Sequence, residues 1–483
     1  MKINLKASLI FFVIFLVGLL LLFTYRNRKN IAQLPAQVSL FSQQQIPPLP
    51  QDPDIQIYFN RNQSSGANYS DPYRQIEREG DNLEQIIIDA IASAKSSIDM
   101  AVQELNLPGI AQALAKSKKQ GIRVRVILEN TYNKPWEELS QAEIKKLDTR
   151  EKRKYREFII LVDLNNDGEV SLEERNQRDA LTILKNAGIP VIDDTADGSK
   201  GSGLMHHKFV IIDGKKVLTG SANFTLSGIH GDFDSLVSRG NANHLVQIKS
   251  TQLANLFTEE FKLLWGDGVG GENDSKFGID KPYRKPQKLT VGDNTILVQL
   301  SPISAKEPWE KSSNGLIAKN LQKATESVDL ALFVFSEQKL VNPLAKLSQQ
   351  GVEIRTLIDP SFAFRYYSEG LDMLGVALRN KCQYEAGNNV WQNPITSVGV
   401  PQLPSGDKLH HKFAVIDNQI VITGSQNWSA AANNRNDETV LVIDNPTVAD
   451  HFTKEMNRLY GNATLGLPDK IAKKIQEQEN QCN

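Results

Sequence analysis

An internal duplication constrains the fold of this 483-residue chain more than any other feature of its sequence. Residues 94–102 (AKSSIDMAV) recur as residues 324–332 (ATESVDLAL), 230 positions later. Residues 206–209 (HHKF) recur unchanged as residues 410–413, only 204 positions later. A repeat of this length is one structural unit used twice, so the sequence predicts two similar domains. The difference between the two spacings predicts an insertion of 26 residues in the first copy, ahead of His206.

Helical and strand patterns alternate within each copy. In the first copy, apolar residues at helical spacing predict helices at 83–94 and 110–119, and runs rich in β-branched residues predict strands at 98–102 and 124–128. Two short strands, 209–212 and 217–219, flank an Asp-Gly turn. This alternation predicts the α/β class, with a mixed sheet flanked by helices in each of two repeated domains. The predicted segments are a membrane anchor at 1–30, a Gln- and Pro-rich linker at 31–53, a first domain at 54–266 with an insertion at about 140–186, a linker at 267–290, a second domain at 291–465 and a tail at 466–483.

The amino-terminal segment predicts attachment to a membrane. The nearly continuous apolar stretch from Ala7 to Tyr25 is long enough to span a bilayer as a single helix. Basic residues at 26–29 occupy the place where a cleavage site would need small residues, which favours an uncleaved anchor over a cleaved signal peptide. Positive charge on both flanks leaves the orientation open, although we expect the catalytic part outside the cytoplasm. The sequence also leaves open whether its two cysteines, Cys382 and Cys482, pair with each other.

Each copy carries the pattern His-x-Lys, four residues, Asp, six residues, Gly-Ser-x-Asn. Residues two apart on a strand project from the same face, so the histidine and lysine of each copy should point together. An imidazole, an ammonium and an amide around one point suit attack on a phosphate. The cation stabilises the phosphate oxygens, and the imidazole can act as nucleophile or acid. The candidate residues are His206, Lys208, Asp213, Ser221 and Asn223 in the first copy, and His410, Lys412, Asp417, Ser425 and Asn427 in the second.

A carboxylate lies 28 positions after the first histidine of each pair. Asp234 follows His206 at this spacing, and Glu438 follows His410. A carboxylate that accepts the second ring N–H of a histidine fixes its tautomer and raises its basicity. We therefore predict that Asp234 supports His206 and that Glu438 supports His410.

The two motifs resemble those of the phospholipase D superfamily, the HKD phosphodiesterases, and both are complete. The resemblance implies two domains related by a pseudo-twofold axis, with both motifs in one cleft and no obligatory protein partner. It also implies an in-line displacement through a phosphohistidine, with no cofactor needed for catalysis. By the same resemblance His206 is the nucleophile and His410 the general acid, roles that the residues alone do not separate.

The insertion contains a pattern typical of an EF-hand calcium loop. Residues 163–174 read Asp-x-Asn-x-Asp-Gly, then five residues and a glutamate, a spacing that places oxygen ligands around one ion. The alternative is an Asn- and Gly-rich turn that binds no metal. The candidate Ca²⁺ ligands are Asp163, Asn165, Asp167, Glu169 and Glu174.

The sequence favours a lipid substrate over a nucleic acid. The formal net charge of -1 provides no general attraction to a polyanion, and the predicted anchor would hold the cleft near lipid headgroups. We therefore predict hydrolysis of phospholipids to phosphatidate and a free headgroup at a phospholipid membrane. An endonuclease acting on DNA or RNA is the main alternative. A phosphatidyl-transferring synthase and a calcium-dependent membrane-binding protein without activity are weaker alternatives, the last because both motifs are complete.

Overall fold

A computed structural model describes residues 48–61, 68–199, 203–272 and 274–482. The predicted membrane anchor and most of the linker after it lie outside the described residues. Within the part described, no helix combines the length and the apolar character needed to cross a bilayer. In the first repeat the strands are β1 (Ile55–Phe59), β2 (Tyr69–Ser70), β3 (Glu77–Arg78), β4 (Ser97–Val102), β5 (Arg123–Leu128), β6 (Val191–Asp193), β7 (Lys208–Ile212), β8 (Lys216–Gly220) and β9 (His244–Lys249). The helices are α1 (Leu83–Ala92), α2 (Pro108–Lys119), α3 (Gln141–Lys146), α4 (Thr149–Val162), α5 (Leu172–Arg178), α6 (Ala180–Asn186), α7 (Leu226–Ile229) and α8 (Thr251–Trp265).

The second repeat follows directly. Its strands are β10 (Gln287–Val291), β11 (Asn294–Leu300), β12 (Ser327–Leu332), β13 (Phe335–Ser336), β14 (Glu353–Ile358), β15 (Val398–Val400), β16 (Lys412–Ile416), β17 (Ile420–Gly424), β18 (Trp428–Ser429), β19 (Thr439–Asp444) and β20 (Thr464–Leu465). Its helices are α9 (Ser313–Leu321), α10 (Gln338–Gln349), α11 (Glu369–Met373), α12 (Ala430–Asn434), α13 (Pro446–Tyr460) and α14 (Asp469–Gln481). Strand β10 begins inside the segment predicted as a linker, because it pairs with β11 at the edge of the second sheet.

The two large sheets have the same topology. The first has the order β1-β9-β8-β7-β4-β5-β6, and the second has the order β10-β11-β19-β17-β16-β12-β14-β15-β20. Without the edge strands β10 and β20, the two orders correspond strand for strand. Strands β4, β5 and β6 of the first sheet run parallel to one another, as do β12, β14 and β15 of the second. The rest of each sheet is antiparallel. The α/β class with two mixed sheets is confirmed, as are the helices and strands predicted in the first copy.

Alternation along the strands separates the core into layers. On β4, Met100 and Val102 face a core shared with α1 and α2, whereas Ala101 faces a central core. This alternation follows from the two-residue period of a strand. The central core draws on both sheets and on the long helices α8 and α13, through residues such as Phe257 and Phe452. The two repeats therefore bury apolar surface against each other, and the chain from Pro48 onward forms one compact unit.

Between β5 and β6 the first repeat has four helices, α3 to α6, where the second repeat has α11 between β14 and β15. Helix α4 ends where the predicted calcium loop begins, and α5 starts inside that loop with a capping box formed by Ser171 and Glu174. At the other end of the chain, a disulfide joins Cys382 to Cys482, whose Cα atoms are 5.3 Å apart. The bond ties helix α14 to the segment after α11.

Candidate active site

Backbone hydrogen bonds attach each motif histidine to the opposite repeat. The N–H of His206 donates to the carbonyl of Asp437 at 3.0 Å, and the N–H of His410 donates to the carbonyl of Ala242 at 3.1 Å. The residue before each histidine, Met205 or Leu409, forms a parallel β-bridge with the same partner. Both histidines are thus positioned by the interface between the repeats, and neither would be placed by its own sheet alone.

The imidazole of His206 is supported by a carboxylate from the other repeat. Nδ1 of His206 lies 2.7 Å from Oε2 of Glu438, and both side chains are buried. Since the carboxylate accepts a hydrogen bond from the Nδ1–H group, the Nε2 atom of a neutral His206 carries the free lone pair.

The imidazole of His410 has an amide in the corresponding place. Nδ1 of His410 lies 2.9 Å from Oδ1 of Asn243. The orientation of this amide follows from its other contacts, because Nδ2 of Asn243 donates to the carbonyl of Gly228 at 2.8 Å and Oδ1 accepts from the hydroxyl of Ser221 at 2.8 Å. The two histidines therefore have equivalent geometry but different electrostatic partners.

The predicted pairing of histidines and carboxylates is wrong in two respects. Glu438 is a histidine partner, but it supports His206 of the other copy, because Asp437 before it forms a β-bridge with Met205 before His206. Asp234 lies at the surface and pairs with Arg156 at 3.0 Å. A signal for the true partner was present: Asn243 precedes Glu438 by 195 positions, the spacing that relates the ends of the two copies.

The two motif lysines are buried without an acidic partner. Nζ of Lys208 donates to the carbonyl of His206 at 2.9 Å and to Oε1 of Gln103 at 3.3 Å. Nζ of Lys412 donates to the carbonyl of His410 at 2.7 Å and lies 5.0 Å from the ring centroid of Phe333. Within the described residues neither ammonium forms an ion pair with a carboxylate. Two buried lysine amines without carboxylate partners suit an anion, whose negative charge would favour their protonated form.

Burial and mutual repulsion set the protonation of the two motif lysines and the two motif histidines. Burial lowers the pKa of Lys208 to about 7, and burial together with Lys208 lowers the pKa of Lys412. Burial and the two lysines also hold the pKa of His206 and of His410 well below the ordinary value, so both rings are neutral without a ligand. Burial raises the pKa of Glu438 to about 7, although the lysines act in the opposite direction.

The Gly-Ser-x-Asn segments build the floor of the cleft. Gly220 and Gly424 are required by the neighbouring strand, because a Cβ atom there would lie 2.3 Å from the carbonyl oxygen of His244 and 2.1 Å from that of Thr439. The absence of a side chain at these two glycines therefore serves the close approach of the neighbouring strand's backbone. The remaining motif residues bond the surrounding groups: the hydroxyl of Ser221 donates to Asn243, the hydroxyl of Ser425 accepts the N–H of Thr439, and the amide of Asn223 donates to Gln103. The side-chain oxygen of Asn427 has no hydrogen-bond partner among the described residues.

The motif aspartates are structural, which corrects their prediction as catalytic residues. Oδ1 of Asp213 accepts from the N–H groups of Ser96 and Ser97 at 2.7 and 3.0 Å. Asp417 binds the start of β12 in the same way. Burial alone would raise the pKa of Asp213, but these backbone donors outweigh it and hold the pKa below its ordinary value. Both aspartates lie at the far end of the strand from the motif lysine, where they fix a turn to the neighbouring strand.

The second histidine of each pair faces the opposite way, as the strand period predicts. Nε2 of His207 lies 3.0 Å from Glu260 on α8, and Nε2 of His411 lies 3.0 Å from Glu455 on α13. Nδ1 of His411 also lies 3.0 Å from Nδ1 of His244, in the other repeat. The contact between His411 and His244 joins the two repeats behind the cleft, and the second histidines leave the first histidines free to face it.

The predicted calcium loop joins α4 to α5, but the described residues contain no assembled group of three or more His, Cys, Asp or Glu side chains suited to a metal ion. Oδ1 and Oδ2 of Asp163 accept the N–H groups of Asn166 and Gly168 at 2.7 and 2.8 Å. Oε1 of Glu174 accepts the N–H of Leu164 at 2.9 Å, so both ends of the loop turn inward. Asn165 and Asp167 bond each other at the exposed tip, and Glu169 contributes its N–H to Asp167. Calcium uptake stays a prediction.

Comparison with known proteins agrees with this geometry. Residues 87–265 and 317–460 match the family model described as "Cardiolipin synthase, PLD-like domain". The mitochondrial cardiolipin hydrolase of Xenopus laevis is 28% identical over 183 residues, which are 37% of this chain and 78% of that protein. The phospholipase D of Rickettsia felis is 27% identical over 147 residues, which are 30% of this chain and 64% of that protein.

A solved structure shares the fold over both repeats. The phosphatidylserine synthase of Haemophilus influenzae Rd KW20 superposes with a TM-score of 0.50 at 10% identity, covering 90% of this chain and 94% of that chain. At this identity the likeness concerns the fold alone. The two family matches span more than half of the chain, and each contains one complete motif. The chain therefore belongs to the phospholipase D-like family of phosphodiesterases.

Proposed function

We propose that this protein hydrolyses the phosphodiester of membrane phospholipids to phosphatidate and a free headgroup alcohol. The observation that carries the proposal is the arrangement of two imidazoles and two buried lysines without carboxylate partners at the repeat interface, each of these groups influencing the pKa of the others. A bound phosphodiester would supply the missing counterion for Lys208 and Lys412. Its negative charge would also raise the pKa of His410, so that this ring could carry a proton when the substrate is present.

The different partners of the two histidines support different roles. When Nε2 of His206 attacks phosphorus, the ring becomes cationic, and the carboxylate of Glu438 stabilises that charge. The neutral amide of Asn243 offers no such stabilisation to a protonated His410, which therefore gives up its proton readily. We accordingly assign His206 as the nucleophile and His410 as the general acid.

The reaction then has two balanced steps. In the first, a bond forms between Nε2 of His206 and phosphorus while the bond from phosphorus to the headgroup oxygen breaks, and His410 transfers its proton to that oxygen. In the second, His410 removes a proton from water, the water oxygen attacks phosphorus, and the bond to His206 breaks. The products are phosphatidate and the headgroup alcohol, and both histidines return to their starting state.

A lipid substrate accords with the named activities of the relatives. The Xenopus laevis and Rickettsia felis proteins are a cardiolipin hydrolase and a phospholipase D, and the near-neutral charge of this chain gives no attraction to nucleic acid. We further propose that the apolar stretch 7–25 anchors the chain and that the catalytic part lies outside the cytoplasm. The disulfide between Cys382 and Cys482 supports that placement, because such bonds persist in oxidising compartments.

The test compares substrates with the full chain in detergent micelles. Phosphatidylcholine, cardiolipin and single-stranded DNA are each incubated with the wild type, His206→Ala and His410→Ala, with and without a chelator. We expect release of a headgroup alcohol from lipid that survives chelation and is lost in both variants. Cleavage of DNA without lipid turnover would replace the proposal by the nuclease alternative.

A second measurement separates the roles of the histidines. A substrate with a p-nitrophenol leaving group does not need a general acid, because that phenolate departs unprotonated. His410→Ala should therefore still release one equivalent of nitrophenol and accumulate the remaining phosphoryl ester on residue 206, which mass spectrometry of a digest kept at neutral to alkaline pH detects, because the P–N bond is acid-labile. Phosphate found on His410 in the wild type would reverse the assignment.

A further inference from the structure

We propose that the loop of residues 231–240, called the rim loop below, docks the catalytic cleft onto the surface of a bilayer that contains anionic phospholipid. The inference rests on the proposed lipid substrate and adds the surface by which the enzyme meets it. The tip of the rim loop carries Leu236 and Val237, which are 73% and 64% exposed. Two adjacent large apolar side chains in water are a feature of interaction sites and seldom of an inert surface.

The rim loop is held in place by buried groups, so the exposure of its tip is built into the fold. The guanidinium of Arg74 is almost fully buried and donates from Nη1 to the carbonyls of Asp232, Ser235 and Ser238 at 3.2, 3.4 and 3.0 Å. The hydroxyl of Ser238 accepts the N–H of Asp232 at 2.9 Å, which closes the base of the loop. A buried arginine that serves three loop carbonyls fixes a conformation with the tip pointing outward.

The rim loop lies at the edge of the catalytic cleft. Its last residue is followed by Asn241, whose side-chain oxygen accepts the N–H of Lys408 at 2.8 Å, and then by the His410 partner Asn243. The N–H of Arg239 donates to Asp407 at 2.9 Å, three residues before His410. A membrane contacted by the tip would therefore lie next to the segment that positions the general acid.

Basic side chains surround the apolar tip. Arg153 and Arg156 of α4 are more than half exposed and pair with Asp232 at 3.9 Å and Asp234 at 3.0 Å. Arg239 donates to the carbonyl of Leu236 at 2.8 Å, directly beneath the tip. Arg153, Arg156 and Arg239 therefore lie beside the apolar tip, and arginine beside exposed aliphatic residues suits the headgroup region of an anionic bilayer.

The second repeat has no counterpart of the rim loop. The interval from His206 to Asn243 is 37 positions, whereas the interval from His410 to Glu438 is 28. The nine additional residues fall within the stretch that contains the rim loop, and helix α4 of the insertion pairs with it through Arg153 and Arg156. The docking surface is thus confined to one side of a nearly symmetric cleft, which would present the substrate phosphate in one orientation.

The proposal can be tested with a single fluorophore on the full chain. Both native cysteines are in the disulfide, so only an introduced thiol reacts with the label. Leu236→Cys and Val237→Cys are labelled with a polarity-sensitive dye and reconstituted with vesicles of phosphatidylcholine and phosphatidylglycerol that contain a lipid with a nitroxide on its acyl chain. The matched controls are Leu172→Cys and Val269→Cys, since both residues are 64% exposed in the wild type and neither belongs to the rim loop.

We expect a blue shift and several-fold stronger quenching at 236 and 237 than at the two controls. Replacing phosphatidylglycerol by phosphatidylcholine, or introducing Arg156→Gln, should reduce this quenching. Equal quenching at all four positions would overturn the proposal. A dye at 237 that is already shielded without lipid would also overturn it, in favour of contact between two copies of the chain.

Hydrolysis of soluble bis-p-nitrophenyl phosphate by the same labelled samples reports on the chemistry alone. Selective quenching at 236 and 237 without hydrolysis would support the docking surface but reject the proposed function. Hydrolysis without selective quenching would reject the docking surface only.

Discussion

Replacement of Glu438 by glutamine separates the charge of this side chain from its hydrogen bond. Glu438→Gln keeps an oxygen that can accept the proton on Nδ1 of His206, 2.7 Å away in the wild type. It removes the negative charge that would face the cationic phosphohistidine. The variant therefore tests whether the buried carboxylate stabilises the intermediate or only orients the ring.

The size of the effect follows from the geometry. The charge of the phosphorylated ring would lie about 4 Å from the carboxylate, and two charges at that distance attract by about 4 kcal/mol at an effective dielectric constant of roughly 20. Since about 1.4 kcal/mol corresponds to a tenfold change in rate, kcat/KM should fall roughly a thousandfold.

The buried carboxylate itself costs stability when ionised: its pKa is raised to about 7, so the folded state loses stability as the pH rises towards that value. Above pH 7 the glutamine variant should accordingly unfold at no lower a temperature than the wild type.

The assay is the pH dependence of kcat/KM for a short-chain phospholipid, together with thermal unfolding. The wild type should lose activity as the pH falls below about 7, because Glu438 then takes up a proton, and this acid limb should be absent in the variant. Glu455→Gln is the matched control, since Glu455 also accepts from a buried histidine, at 3.0 Å, but on the side away from the cleft. Because Arg458 and His411 hold the pKa of Glu455 at about 2, this control should lose stability, with activity falling only in proportion to the folded fraction. A loss of less than tenfold in Glu438→Gln, with an unchanged acid limb, would refute the role assigned to the charge.

Three further predictions follow from the surrounding contacts. Lys208→Met should abolish turnover without lowering the thermal unfolding temperature, because it removes a buried ammonium that has no acidic partner; marked destabilisation would contradict this. Asp213→Ala should lower the free energy of unfolding in urea by about 2 kcal/mol, because it leaves turn N–H groups unbonded, yet leave the kcat of folded enzyme unchanged. Titration calorimetry should show calcium uptake that Asp163→Ala abolishes. If the wild type gives no heat of binding, the loop is a turn that binds no metal.

The sequence by itself determined most of the local structure and most of the side chains that form the site. The duplication predicted two α/β repeats, because the same apolar periodicity recurs in both and periodicity is read within a few residues. The spacing of His206 and Lys208 predicted that they share a face and that His207 points away, because a strand has a period of two. These inferences depend on neighbours along the chain, where geometry is fixed by covalent structure.

Tertiary structure alone decided which groups meet across the repeat interface. The equal spacing of Asp234 and Glu438 suggested a carboxylate within each copy, but the rim loop lengthens the first copy and puts Asn243 in the equivalent place. The supporting groups are also exchanged between the repeats, a consequence of backbone bridges at Met205 and Leu409 that no local pattern announces. The two histidine partners lie 232 and 167 residues away along the chain and are assigned by packing, and that packing makes one histidine face a charge and the other an amide.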